Sequence, residues 1–307
     1  MEHFADRLIA AVRRCRNPVL VGLDPRADSL PQGLQVADRG DVAAVAAAYR
    51  VFCCGVIDVV APLVPIVKPQ AAFFEELGPS GLLALADVIR YARERGLLVL
   101  LDGKRNDIGS TATAYARGYL GAPPASPWGA DALTVSPYLG DDSLEPFVQV
   151  ARERAAGVFV LVKTSNPGGK LFQDLVADGQ PLYQHVAALV ERLALETKGN
   201  GPYGAVGAVT GATYPQQLPE LRNRMPHAWF LVPGYGAQGG TARDVAGAFD
   251  VDGLGAIVNS SRAIIFAHAR KEYRQRYGDA RWQEAVQAAA SDMIAELWSE
   301  TPAAKLI

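Results

Sequence analysis

The sequence predicts an α/β fold, a (β/α)8 barrel, and three observations predict it. Eight short apolar runs alternate with helix-like segments along the 307 residues, as buried parallel strands alternate with covering helices. Eight such units in a chain of this length are enough to close a barrel. Charged and glycine-rich residues fall at or just past the C-terminal ends of the runs, the face on which barrels carry their sites. The alternative, an open doubly wound sheet, is disfavoured because no GxGxxG opens the first helix and the even alternation spans the whole length.

The elements follow in order. Residues 4–16 read as an amphipathic helix. Residues 18–23 form strand one, stopped by Asp24-Pro25, and 41–60 are an Ala/Val-rich helix. Strand two is 63–67, ending at Lys68-Pro69. A helix over 81–95 closes at Gly96, a C-terminal stop signal. Strand three is 97–101, followed by Asp102 and Lys104, and then a helix over 110–120. The Pro-rich stretch 121–129 is a surface excursion. Strand four is 132–135, with a helix near 141–155. Strand five is 158–162, ending at Lys163-Thr164-Ser165-Asn166, with a Gly-rich loop at 167–170 and a helix at 181–197. Strand six is 205–209 and a short helix covers 215–224. Strand seven is 229–232 and runs into the Gly234–Gly240 loop and a helix at 241–248. Strand eight is 256–258, followed by Asn259-Ser260-Ser261-Arg262 and helices to about 299. Residues 1–307 read as one barrel domain with an N-terminal helix and a C-terminal helical extension, its active site at the strand C-termini.

Half the residues are hydrophobic, a fifth are charged and the net charge is −2. That is globular composition, without the basic excess of a nucleic-acid binder. No apolar run is expected to reach the ~20 residues of a membrane helix, and the N-terminus lacks a signal-peptide layout. Cys15, Cys53 and Cys54 form no CxxC pair, and His3, His185, His227 and His268 are scattered. These features predict a cytoplasmic protein without disulfides, with no metal site and no cofactor motif.

The chemistry concentrates in Leu97 to Tyr115, LLVLLDGKRNDIGSTATAY. Alternation along a strand aims Asp102 and Lys104 the same way and Arg105 the other, with Asp107 past the strand at the mouth of the turn. Alone, such a cluster could be an ion pair capping a strand. Its companions at other strand ends (Asp24, Lys68, Ser165 and Arg262) point instead to a site, because a structural role does not require charges to gather on one face. Flanking carboxylates at 102 and 107 would stabilise the Lys104 ammonium, making it a proton donor and charge stabiliser rather than a Schiff-base amine. That suits a reaction that builds negative charge on carbon and then protonates it. Lys68 would hold the carboxylate network or a ligand hydroxyl; its plain alternative is a strand-end lysine reaching solvent. Gly234, Gly236, Gly239 and Gly240, with Gln238 and Arg262, are expected to bind phosphate, as the loops after strands seven and eight of a barrel often do; the plain alternative is a flexible turn and a surface arginine.

The Asp102-Gly103-Lys104-Arg105-Asn106-Asp107 stretch resembles the D-x-K-x-x-D signature of the orotidine 5'-phosphate decarboxylase family. Lys68 one strand earlier, Asp24 in LDP, Ser165, the Pro233-Gly234 loop and Arg262 fall in the family's order. VKPQ, TSNPGG and the C-terminal extension resemble its longer bacterial branch. The resemblance implies conversion of orotidine 5'-phosphate to UMP and CO2, the last step of UMP biosynthesis, with no cofactor. It implies that Lys104 protonates the C6 carbanion and that Asp102 faces the substrate carboxylate. Asp24 and Lys68 would contact the ribose hydroxyls and the charge network, Ser165 the pyrimidine amide, and Gln238 and Arg262 the phosphate. It further implies a homodimer in which Asp107 and Thr111 complete the neighbouring site. Two rivals compete. One is a Mg²⁺-dependent sugar-phosphate decarboxylase of the same barrel superfamily, which chelator sensitivity would reveal. The other is a non-catalytic phosphate-ligand sensor, which would bind without turnover.

Overall fold

The computed structural model describes residues 2–236 and 239–307. Eight parallel strands close a barrel in chain order: β1 (Val19–Leu23), β2 (Ile66–Pro69), β3 (Leu98–Arg105), β4 (Ala132–Val135), β5 (Gly157–Lys163), β6 (Val206–Thr210), β7 (Phe230–Val232) and β8 (Ala256–Ser260). β8 returns to pair with β1, Val19 opposite Val258 and Val21 opposite Ser260.

Strand alternation sorts the core into two layers. Val19, Val21, Leu23, Val67, Val99, Leu101, Leu133, Val135, Val158 and Val160 pack outward with the helices. Leu20, Ile66, Leu98, Leu100, Ala132, Phe159, Val209, Leu231 and Ile257 belong to a second cluster that fills the barrel, joined by Phe4, Leu8 and Val12 of the helix Phe4–Cys15. That amphipathic helix therefore packs against the interior cluster. Continuing the same alternation toward the strand C-termini gives Asp24, Lys68, Asp102, Thr134 and Asn259. The parity that fills the barrel with leucine and isoleucine aims these polar side chains into its mouth.

Three expectations need correction. Two strands run past their apolar stretches, because backbone groups make the sheet's bonds: Lys68 lies within β2, and Asp102, Lys104 and Arg105 within β3, whereas β1 does end at Leu23, before Asp24. The 167–170 loop is a turn of 3-10 helix (Pro167–Gly169) leading into the short helix Lys170–Gln173, and the hairpin Val176–Ala177/Gln180–Pro181 follows. Finally, the helix Val42–Val60 is long and apolar enough to cross a membrane by length and composition, with mean hydropathy 1.8. It nevertheless packs Val45, Tyr49, Phe52, Cys53, Val56, Ile57 and Val60 into the core, and Asp41 caps its first turn. Its hydrophobicity is that of a barrel helix rich in alanine and valine, packed beside its neighbour and the C-terminal helix Trp282–Glu300.

Candidate active site

A cavity of about 520 Å³ opens at the C-terminal ends of the strands. Asp24, Lys68, Asp102, Lys104, Ser165, Gly234 and Arg262 all line it. Residues up to 238 positions apart in the chain thus line one cavity. The volume is within the usual range for a small-molecule site.

Asp102 is the hub. Its Oδ2 accepts from Lys68 Nζ at 2.8 Å and from Gln70 Nε2 at 3.0 Å. Its Oδ1 accepts from Lys104 Nζ at 2.6 Å and from the Thr134 hydroxyl at 2.9 Å. Lys68 is 3% exposed and Asp102 7%, so the plain alternative of a solvent-reaching Lys68 does not hold. Burial alone would raise the Asp102 pKa; the charges and hydrogen bonds of Lys68 and Lys104 outweigh it and hold the carboxyl well below the usual carboxylate range. Burial likewise opposes the Lys68 ammonium, and Asp102 and Asp24 outweigh that, raising its pKa. Both groups are therefore charged at neutral pH. The Lys104 side chain, by contrast, is half exposed to the cavity mouth.

Arg105 points away from this array, as the alternation predicts, and bonds Glu75 and Tyr119 outside the barrel. Asp107 does not flank Lys104 within the chain. It accepts from its own neighbour's amide, Ile108 N, at 2.8 Å and does not line the cavity. Among the described residues it makes no ion pair. The chain leaves β3 at Arg105 and turns into the helix Gly109–Tyr119, carrying Asp107 past the cavity. Thr111 is exposed on that helix, beside a shallow cleft with Tyr115, Tyr119 and Trp128.

Further lining comes from the segment after β5. Gln173 folds back to bond the Thr164 amide at 3.0 Å and the Thr164 hydroxyl at 2.8 Å, which holds Ser165 and Asn166 at the cavity edge. After β7, Gly234 has φ 100, a backbone state open chiefly to glycine, and Arg262 sits at the start of the helix Arg262–Ile265 after β8. Gly22 in β1 is needed for a different reason: a Cβ there would lie 1.8 Å from Ser261 Oγ, so only glycine lets β1 and the turn before Arg262 approach. Gln238 lies outside the described residues. Asp24 Oδ1 and Asn259 Oδ1 are buried without a protein hydrogen-bond partner among the described residues, which suits acceptors for ligand hydroxyls or amides. Sequence reasoning missed Gln70, Thr134, Gln173 and Asn259. These are neutral side chains, and only strand parity could have flagged Thr134 and Asn259. Among the described residues no group of three or more His, Cys, Asp and Glu side chains comes together as a metal cluster.

Comparison with known proteins agrees with this geometry. The family described as "Orotidine 5'-phosphate decarboxylase / HUMPS family" matches residues 18–277. An orotidine 5'-phosphate decarboxylase of Rhodopirellula baltica is 58% identical over 302 residues, 97% of this chain and 99% of the relative. One from Deinococcus radiodurans is 46% identical over 265 residues, 86% and 89% of the two chains. The solved structure of Leishmania donovani OMP decarboxylase superposes with a TM-score of 0.74 at 34% identity, covering 97% of this chain and 98% of that one. With the match running from β1 beyond β8 and the lysine–carboxylate array seated in the barrel mouth, this chain belongs to the orotidine 5'-phosphate decarboxylase / HUMPS family.

Proposed function

We propose that this chain decarboxylates orotidine 5'-phosphate to UMP and CO2, closing UMP synthesis, and does so without a cofactor. The observation that carries the reading is the Lys68–Asp102–Lys104 array: alternating charges across the ends of β2 and β3, inside a nucleotide-sized cavity.

The reaction leaves an electron pair on C6 of the pyrimidine, with no adjacent carbonyl placed to take it up. The barrier must fall through contacts stronger in the transition state than in the ground state. Lys104, 2.6 Å from Asp102, would carry an ammonium aimed at C6. It stabilises the developing negative charge electrostatically and then delivers the proton. Asp102, kept ionised by its lysines, would face the departing carboxylate. Lys68 and Asp24 would hold the ribose hydroxyls, and Ser165 the pyrimidine amide. Arg262, with the Gly234 loop and Gln238, would bind the phosphate, whose remote binding energy can be used to assemble the reacting centre.

In this reading the working unit is a homodimer. The position of Asp107 and Thr111 outside their own chain's cavity supports their reaching the neighbouring site, as does the exposed Ile108 beside them. The enzyme would work in the cytoplasm. The test is to follow loss of orotate absorbance when the pure protein meets orotidine 5'-phosphate in EDTA. Turnover that survives chelation and disappears in Lys104→Ala is expected. A folded, dimeric protein with no turnover refutes the reading, and turnover that EDTA abolishes refutes its cofactor-free part.

A further inference from the structure

β3 and β4 pair regularly at Leu100↔Ala132 and Leu101↔Leu133, but the next partners are Arg105↔Val135. Three residues of β3, Asp102 to Lys104, thus stand opposite the single residue Thr134. A bulge of this kind re-aims side chains and interrupts the ladder. Here it turns Lys104 into a left-handed backbone conformation, φ 43, uncommon for any residue but glycine. The Lys104 amide then meets a side chain: Thr134 Oγ1 accepts from it at 2.9 Å. The same hydroxyl donates to Asp102 Oδ1 at 2.9 Å, the oxygen that also holds the Lys104 ammonium. Thr134 is 1% exposed. One buried hydroxyl, with a single proton to give and lone pairs to receive, ties both ends of Lys104 to one carboxylate oxygen.

We propose that Thr134 is a positioning residue: its hydroxyl fixes the bulged β3 turn and the Asp102 rotamer, and thereby sets where the Lys104 ammonium points. The inference rests on the decarboxylase reading. Valine has nearly the shape of threonine but leaves the Lys104 N–H unpaired. It also removes the hydroxyl holding Asp102 Oδ1, while Lys68 and Gln70 still hold Oδ2. Since misplacing a reacting group by about 1 Å can cost on the order of 100-fold, Thr134→Val should lower kcat by about that factor. Thr134 itself lines the cavity, but KM should change little, because the phosphate and ribose contacts are proposed for other lining residues, Arg262, Gly234, Asp24 and Lys68.

The experiment measures kcat and KM for wild type, T134V, T134A and T134S, with circular dichroism to establish folding. Expected are a large kcat loss at near-constant KM in T134V, and recovery of most of that loss in T134S, which keeps the hydroxyl and drops only the methyl. T134A gives the same reading if valine is not accommodated. Wild-type kcat in folded T134V or T134A overturns the inference. So does a loss confined to KM, or a T134S as impaired as T134A, which would assign the effect to packing of the methyl group. A wild-type protein that does not turn over orotidine 5'-phosphate sinks the decarboxylase reading instead, so the two failures are distinguishable.

Discussion

Lys68 Nζ lies 2.8 Å from Asp102 Oδ2, with both side chains buried at the barrel mouth. The pair is the foundation of the charge array. Lys104 shares the other oxygen of the same carboxylate, so a change at Asp102 reaches both lysines.

Removing one partner of a buried pair strands the other, at a cost of about 3 kcal/mol or more. Asp102→Asn should therefore destabilise the protein at pH 7 by about 3 kcal/mol, read from urea midpoints. The sign of the pH dependence follows from a depressed carboxyl pKa. Asp102's contribution is fully present above its ordinary value of 3.8 and is lost as pH falls below it. The gap between wild type and D102N should stay constant from pH 7 to about 4 and narrow below that. A gap that closes near pH 6 would mean Asp102 is not held ionised by its lysines.

If Asp107 serves the neighbouring subunit, two dead variants should rescue one another. Lys104→Ala and Asp107→Ala are each expected to be nearly inactive. Mixed one to one and allowed to exchange, half the dimers become hybrids with one intact site, so about a quarter of wild-type activity should return in a C2 dimer. No recovery despite subunit exchange, seen by native mass spectrometry, would show that Asp107 serves its own chain.

Tyr235, in the loop after β7, donates its hydroxyl to Glu296 of the C-terminal helix Trp282–Glu300, and Tyr273 bonds Asp292 of the same helix at 2.7 Å. The C-terminal extension thereby anchors the loop proposed to hold phosphate. Burial and Glu296 keep the Tyr235 phenol protonated, its pKa pushed upward. Tyr235→Phe should cost about 1 kcal/mol of stability and raise KM several-fold more than it lowers kcat. A Y235F enzyme with unchanged KM would separate the C-terminal helix from ligand binding.

Much of this was legible in the sequence because it depends on periodicity. Period-two alternation gives the inner and outer faces of each strand, and barrel closure brings Asp24, Lys68, Asp102 and Arg262 together without further information. What could not be read depends on local irregularity. The bulge at Asp102 to Lys104 leaves Thr134 facing three residues of β3 and gives a neutral threonine a place among the charges. The fold-back of Gln173 onto Thr164 needs the short helix Lys170–Gln173, in a stretch that reads as a Gly-rich loop. For Asp107 the family resemblance pointed to the neighbouring site, whereas the spacing alone misled. Its spacing from Lys104 looks like a flank in one chain, whereas β3 continues to Arg105 and carries it away.

The central claim is that the Lys104 ammonium, held against Asp102, supplies the charge and the proton that decarboxylation requires. The most direct measurement is single-turnover release of labelled CO2 from carboxyl-labelled orotidine 5'-phosphate, in EDTA, by wild type and Lys104→Ala under saturating enzyme. Wild type is expected to release the label, and the variant to be slower by on the order of 1,000-fold or more while still binding UMP. Label released by Lys104→Ala at the wild-type rate would contradict the account.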